Sequence, residues 1–204
     1  MEFRETAIDG VILITPGRLR DGRGYFAETF RHDLFQEHCG RHDFVQENQS
    51  LSTETGTVRG LHFQLAPKAQ GKLVGCLAGA LFDVAVDIRP GSPTFGRHVA
   101  VELSAANGCQ LWVPAGFAHG FCTLSPDTRA SYKVTDYYSK DHERGILWND
   151  PDLGISWPVG DGNAVLSDKD RTLPGLAAWQ EGSFSIGQHR NLLRLAGAGG
   201  RAAD

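Results

Sequence analysis

Apolar residues along the chain fall into short runs with a two-residue period, broken by clusters of Gly, Pro and Asp. Gly10 to Pro16, G-V-I-L-I-T-P, is an apolar run closed by proline. It suits a central strand and, equally, one that pairs with a second subunit. Arg20 to Phe30, R-D-G-R-G-Y-F-A-E-T-F, holds a two-glycine turn and then a strand in which Phe26, Glu28 and Phe30 alternate with Tyr25, Ala27 and Thr29. By spacing alone Glu28 reads as a solvated strand residue. Arg31 to Gly40 predicts a short helix. Phe44 to Gly56 is rich in amides and hydroxyls and has little to bury, which predicts a strand rim or a loop over a cavity.

The densest stretch is Val58 to Lys72, V-R-G-L-H-F-Q-L-A-P-K-A-Q-G-K. As a strand it puts Gly60, His62 and Gln64 on one face and Leu61 and Phe63 on the other. Strict parity leaves Arg59 on the Leu61 side. It joins His62 only if Gly60 marks a bulge or bend.

Beyond it, Phe82, Val84, Val86 and Ile88 alternate with Asp83, Ala85 and Asp87, and P-G-S-P-T at Pro90 to Thr94 marks a turn. Arg97 to Leu103 alternates again. Gly108 to Leu124 reads as a strand, a turn at A-G, and a returning strand. Arg129 to Tyr138 adds another strand, with Ala130, Tyr132 and Val134 on one face. Ser139 to Pro174 is rich in Asp, Gly and Pro and predicts ordered loop packed by Trp148 and Trp157.

Seven to ten short strands with few helical patterns predict a mainly β chain, an antiparallel sandwich or barrel of the jelly-roll kind. With no repeat or linker, residues 1–204 read as one domain. Its core spans about 1–175, a helical segment 176–195 and a mobile tail 196–204.

A net charge of −4 and a pI near 6.0 speak against a nucleic-acid surface or a polybasic membrane patch. No apolar run approaches the ~20 residues of a membrane span. M-E-F-R-E-T-A shows no signal-peptide pattern. Cys39, Cys76, Cys109 and Cys122 form no C-x-x-C pair and read as reduced, mostly buried thiols of a cytoplasmic protein.

The chemistry narrows by residue type. His62 and His119 are the strand histidines, but no H-x-H or H-x-x-x-H pair offers the convergent ligands of a catalytic metal. No G-x-S-x-G, no Cys with a nearby His and no phosphate-cradling Gly loop opening a helix is present. Acid/base chemistry remains. His62 has the side chain for a general base. Taken singly, a strand His, a core Tyr132 and a solvated Lys72 each read first as structural residues, so any functional reading rests on the ensemble.

At these residues the chain resembles the dTDP-4-dehydrorhamnose 3,5-epimerase family, a metal-free branch of the cupin jelly-rolls. Gly108, Pro114, Gly116 and His119 match the second cupin motif, with Thr123 in place of its usual Asn. The first cupin motif is reduced to His62, as in the epimerase branch. More specific matches are Q-x-N-x-S-x-S at Gln46 to Ser52, R-G-L-H-F-Q at Arg59 to Gln64, G-K-L-V at Gly71 to Val74 and F-D-V-A-V-D-I-R at Phe82 to Arg89. G-S-P-T-F-G at Gly91 to Gly96, P-A-G-F-A-H-G-F at Pro114 to Phe121, D-Y-Y at Asp136 to Tyr138, the Trp148 to Trp157 run and S-D-K-D at Ser167 to Asp170 complete the set. Where the family often has Arg and later Gly-Glu, this chain has Gly75 and Gly79-Ala80.

The resemblance implies a cupin-type jelly-roll that uses no cofactor and no metal. It implies a dTDP-linked 4-keto-6-deoxy sugar as substrate and inversion at carbons 3 and 5. By the same resemblance His62 is the base, Asp170 its orienting partner, Tyr132 the acid and Lys72 the group at the enolate oxygen. Arg59 grips the diphosphate, and Gln46, Asn48 and Tyr138 contact diphosphate or thymine. His119 lies near the sugar. Arg23 and Glu28 reach the nucleotide from a neighbouring subunit, in a homodimer with exchanged N-terminal strands. A single-centre epimerase or ketoisomerase on a related nucleotide sugar is the nearest alternative, and a non-catalytic sugar-nucleotide binder a third.

Overall fold

The computed structural model describes residues 1–180. Among them the alternating runs become thirteen strands in two antiparallel sheets and a hairpin. The six-stranded sheet runs in the order β1 (Glu2–Glu5), β2 (Ile12–Thr15), β10 (Gln110–Val113), β7 (Lys72–Ala78), β12 (Thr128–Val134) and β5 (Gln46–Ser52). The five-stranded sheet runs β13 (Glu143–Gly145), β6 (Val58–Gln64), β11 (Phe117–Thr123), β8 (Ala80–Asp87) and β9 (His98–Ser104). The hairpin is β3 (Arg18–Asp21) with β4 (Gly24–Ala27). From β5 onward the chain passes from sheet to sheet at almost every connection, with only β8 and β9 adjacent both in sequence and in one sheet.

That alternation corrects one expectation. The strands of Gly108 to Leu124 do not return upon each other. β10 pairs with β2 and β7, while β11 pairs with β6 and β8. The Pro114–Gly116 turn, with Gly116 at φ +93°, hands the chain from one sheet to the other. The strand count also exceeds the expected seven to ten, because three- and four-residue strands are too short to show a period.

Both sheets turn apolar side chains toward a shared core of Leu13, Val74, Leu111 and Ala130 from one and Leu81, Ala85, Leu103 and Phe121 from the other. β8 is buried on both faces. Its Val84 and Val86, with Ile88 just beyond, pack outward under Leu61, Phe63, Ile146, Leu153 and Leu176, so the alternate set, Asp83 included, points between the sheets. The cover over that outer face is the Ser139 to Pro174 stretch, where Trp157 Nε1 donates to the Trp148 carbonyl at 2.7 Å.

Helix α1 (His32–Cys39) occupies the predicted position and covers the outside of the six-stranded sheet. Phe35, on α1, meets Trp112 edge-on at 5.0 Å, over Ile12, Ile14 and Leu73. Gly71 lies under this cluster: a Cβ there would stand 2.4 Å from the Trp112 ring. Two short helices follow later, α2 (Asp168–Arg171) and α3 (Ala177–Gln180). α3 begins the expected 176–195 helical segment. The rest of that segment and the expected 196–204 tail lie outside the described residues. No helix among the described residues is long and apolar enough to cross a membrane.

Candidate active site

A cavity of about 490 Å³ opens between the sheets. Arg59 and His62 reach it from β6, Lys72 from β7, His119 from β11, Tyr132 from β12, Ser50 from β5 and Asp170 from α2. A smaller recess shares His62, Lys72 and Tyr132 and adds Gln46, Asn48, Gln64, Tyr138 and Glu143.

The strand β6 carries the bulge on which Arg59 depends. His119 stands opposite His62, and Phe121 stands opposite Arg59. Two steps along β11 therefore face three along β6, and the extra residue falls at Gly60 and Leu61. Parity reverses there, and Arg59 lines the same cavity as His62. Gly60 has φ +126°, and a Cβ on it would lie 2.6 Å from Gly120 Cα and 2.8 Å from the His119 carbonyl oxygen. Only glycine lets the two backbones approach this closely. Arg59 is fixed by donating from Nε to Ser52 Oγ and from Nη2 to the Leu51 carbonyl, both at 3.1 Å.

His62 Nε2 lies 2.6 Å from Asp170 Oδ1. Asp170 is buried, and its backbone N–H donates to Ser167 Oγ, the N-cap of α2, which sets the carboxylate's position. Burial works to raise the Asp170 pKa. The bond to His62, its charge and the Ser167 hydroxyl prevail, and the carboxyl sits below its ordinary value.

Lys72 is buried, and Nζ donates to the His62 carbonyl at 3.2 Å. Burial pushes its pKa down to about 8, against the opposing charges of Asp83 and Glu143. Tyr132 is shifted upward by burial, with the Arg59 charge opposing and Glu143 adding to the shift. A neutral phenol and a cation that titrates within reach of neutral pH thus share one cavity with an imidazole backed by a carboxylate.

At the rim, Gln46 Nε2 donates to Asn48 Oδ1 at 2.8 Å, and the Tyr138 N–H donates to Gln46 Oε1 at 3.0 Å. Arg23 and Glu28 line neither space. Arg23 is exposed at the hairpin tip, paired with Asp21 at 2.6 Å. Gly75 and Gly79-Ala80 also stay off the cavity. Gly75 stands across from Gln110 and Ser131, and Gly79 sits between β7 and β8 at φ +73°.

Two acidic groups went unread in the sequence. Glu143 accepts from the Tyr138 hydroxyl at 2.9 Å and from Lys169 Nζ at 2.6 Å. Burial raises its pKa, but those two bonds outweigh it and hold the carboxyl low. Nothing in E-R-G marks it. Asp83 is fully buried and bonds His119 Nε2 through Oδ1 at 2.9 Å. Its signal was there, as a charge in the middle of a run of apolar residues. Among the described residues no group of three His, Cys, Asp or Glu is gathered to hold a metal ion.

Comparisons with known proteins place the chain in a family. The family model described as dTDP-4-dehydrorhamnose 3,5-epimerase matches residues 5–178. An enzyme of that name from Sinorhizobium fredii is 57% identical over 176 residues, covering 86% of this chain and 90% of its own. The crystal structure of the Legionella pneumophila Philadelphia 1 epimerase, in complex with dTDP-4-keto-L-rhamnose, superposes with a TM-score of 0.82 at 47% identity, over 86% of this chain and 93% of that one. A 3'-monoepimerase from Streptomyces bikiniensis in complex with dTDP-quinovose gives 0.78 at 37% identity, over 84% and 86%. A match across nearly all of the described fold, at such identity, has one reading: the chain belongs to the dTDP-4-dehydrorhamnose 3,5-epimerase family.

Proposed function

We propose that this protein converts dTDP-4-dehydro-6-deoxy-D-glucose to dTDP-4-dehydro-L-rhamnose, inverting carbons 3 and 5, as a step in dTDP-L-rhamnose biosynthesis. The observation that carries the reading is the His62–Asp170 pair facing a cavity it shares with Tyr132 and Lys72. The keto group at carbon 4 acidifies the hydrogens on carbons 3 and 5. His62 removes one as a proton, and the electron pair moves onto the ketone oxygen as an enolate. Asp170 fixes the imidazole tautomer and stabilises the imidazolium. Lys72 neutralises the enolate oxygen, a contribution on the order of 3 kcal/mol. Tyr132 returns a proton to carbon. It stands on β12 of the six-stranded sheet and His62 on β6 of the other, so the two approach a sandwiched sugar from opposite sides, as inversion requires.

Arg59 is suited to the diphosphate, and Gln46, Asn48 and Tyr138 at the rim to the nucleotide. His119 serves the sugar end. Arg23 and Glu28, remote from this chain's own cavity, fit a role in a neighbour's, in a homodimer with exchanged N-terminal strands. Supporting this, Leu19 and Phe26 on the β3–β4 hairpin are 74% and 71% exposed. Four free thiols fit a cytoplasmic setting.

The test is proton exchange in D₂O with dTDP-4-keto-6-deoxyglucose, followed by NMR at carbons 3 and 5. Deuterium at both positions is expected. Deuterium at one alone would assign a single-centre epimerase, and none at either would overturn the acid/base reading.

A further inference from the structure

Gln64 is a buried polar residue at the end of β6 with no part in the chemistry proposed above. Its amide bridges two loops. Nε2 donates to the Lys68 carbonyl at 2.5 Å and to the Tyr137 carbonyl at 3.2 Å, and Oε1 accepts from the Ser139 N–H at 2.7 Å. Two carbonyls on one side and an N–H on the other fit only this orientation of the amide. On the second loop, the peptide groups it holds are the two that flank Tyr138.

The rest of Tyr138 is tied to the same place. Its own N–H donates to Gln46 Oε1 at 3.0 Å. Its hydroxyl donates to Glu143 Oε2 at 2.9 Å, and Glu143 stands opposite Gln64 across the β6–β13 ladder. Main chain and hydroxyl thus return to one rung of the sheet. The ring between them is 55% exposed and lines the smaller recess. A ring held at both ends and left half bare suits a planar partner laid against it, because little freedom is left to lose on binding.

We infer that Gln64 is a positioning residue for nucleotide binding: buried beneath the rim, it fixes the main chain on both sides of Tyr138, so that the ring is in place before the ligand arrives. The inference rests on the nucleotide role proposed above for Tyr138. Two neighbouring links join the same loops. Lys68 Nζ pairs with Asp136 Oδ1 at 3.1 Å, and Gln70 Nε2 donates to the Asp136 carbonyl at 2.7 Å. Both stop at Asp136, two positions short of the ring. Gln64 reaches past it, and does so from the strand that carries Arg59 and His62.

The experiment measures Gln64→Leu by steady-state turnover of dTDP-4-keto-6-deoxyglucose and by calorimetric titration with dTDP. KM and the dTDP Kd are expected to rise together by about tenfold, with kcat within about twofold of wild type. Gln64→Glu has nearly the same shape but turns an oxygen toward the two carbonyls, and should fail in the same way. A merely structural role lowers Tm or the active fraction and leaves KM and Kd in place, and that result overturns the inference. A double-variant cycle ties the effect to the ring. Once Tyr138→Ala has removed it, Gln64→Leu should cost no further dTDP affinity, and additive losses overturn the inference. Amide hydrogen exchange on the wild-type protein asks the same question without a buried substitution. The Tyr138 and Ser139 N–H groups should be protected before dTDP is added, and protection that arrives only with dTDP overturns the inference. Tyr138→Ala with the wild-type dTDP Kd would overturn the nucleotide role of the ring itself. A weakened Tyr138→Ala beside an unchanged Gln64→Leu would remove the present inference alone.

Discussion

His62 Nε2 and Asp170 Oδ1 are 2.6 Å apart, although 108 positions separate them in the chain. The contact is made by two unlike elements, a bulged inner strand and a four-residue helix capped by Ser167. Asp170→Asn keeps the shape and removes the charge that stabilises the imidazolium. Turnover is expected to fall by about a hundredfold or more, with KM nearly unchanged, measured under steady-state conditions. His62→Asn should be slower still, by about 10²–10⁴ against wild type.

Tyr132→Phe separates removal of a proton from its return. His62 is untouched, so deuterium from D₂O should still enter the substrate. Inverted product should fall about a hundredfold. NMR reads both quantities in one tube. Inverted product at the wild-type rate would assign the acid to another residue.

The pH profile of the wild-type enzyme should lose activity near pH 8. Lys72 is held down to about 8 by burial, whereas Tyr132 is shifted above its ordinary value. As pH rises the lysine therefore loses its proton first. A high-pH limb of kcat/KM near 8 is expected, and one above the ordinary range of a phenol would assign the limb to Tyr132.

Gly60→Ala tests the bulge. Its Cβ would meet backbone atoms of Gly120 and His119 inside 3 Å, at a φ of +126° that alanine rarely adopts. Neither neighbour is the end of a flexible side chain. Destabilisation on the order of 3 kcal/mol is expected, read as a fall in Tm of several degrees with activity reduced in the folded fraction.

Much of this was legible in the sequence, for reasons that differ by residue. The strand at His62 announced itself because Leu61 and Phe63 must be buried, which turns the imidazole the other way. The bulge was foreseeable only as a condition, since nothing in R-G-L-H tells a glycine that kinks a ladder from one that does not. Helix α1 was found within one residue at each end, because Gly40 and the polar stretch before Gln46 bound it. The β10–β11 crossover was misread as a hairpin: a Gly turn between apolar strands looks the same whether the chain returns in its own sheet or passes to the other. Asp83 and Glu143 were missed because their partners, His119 and Lys169, are distant in sequence: one pairing exists only once β8 and β11 lie side by side in one sheet, the other once α2 has packed near β13.

The extra residue in β6 also sets a length. Arg59 and His62 stand on one strand, three residues apart, with Gly60 wedged against Gly120 between them. The spacing of the backbone positions that carry guanidinium and imidazole is therefore a property of main chain in a sheet interior rather than of a loop that can adjust. Such a strand works as a fixed gauge.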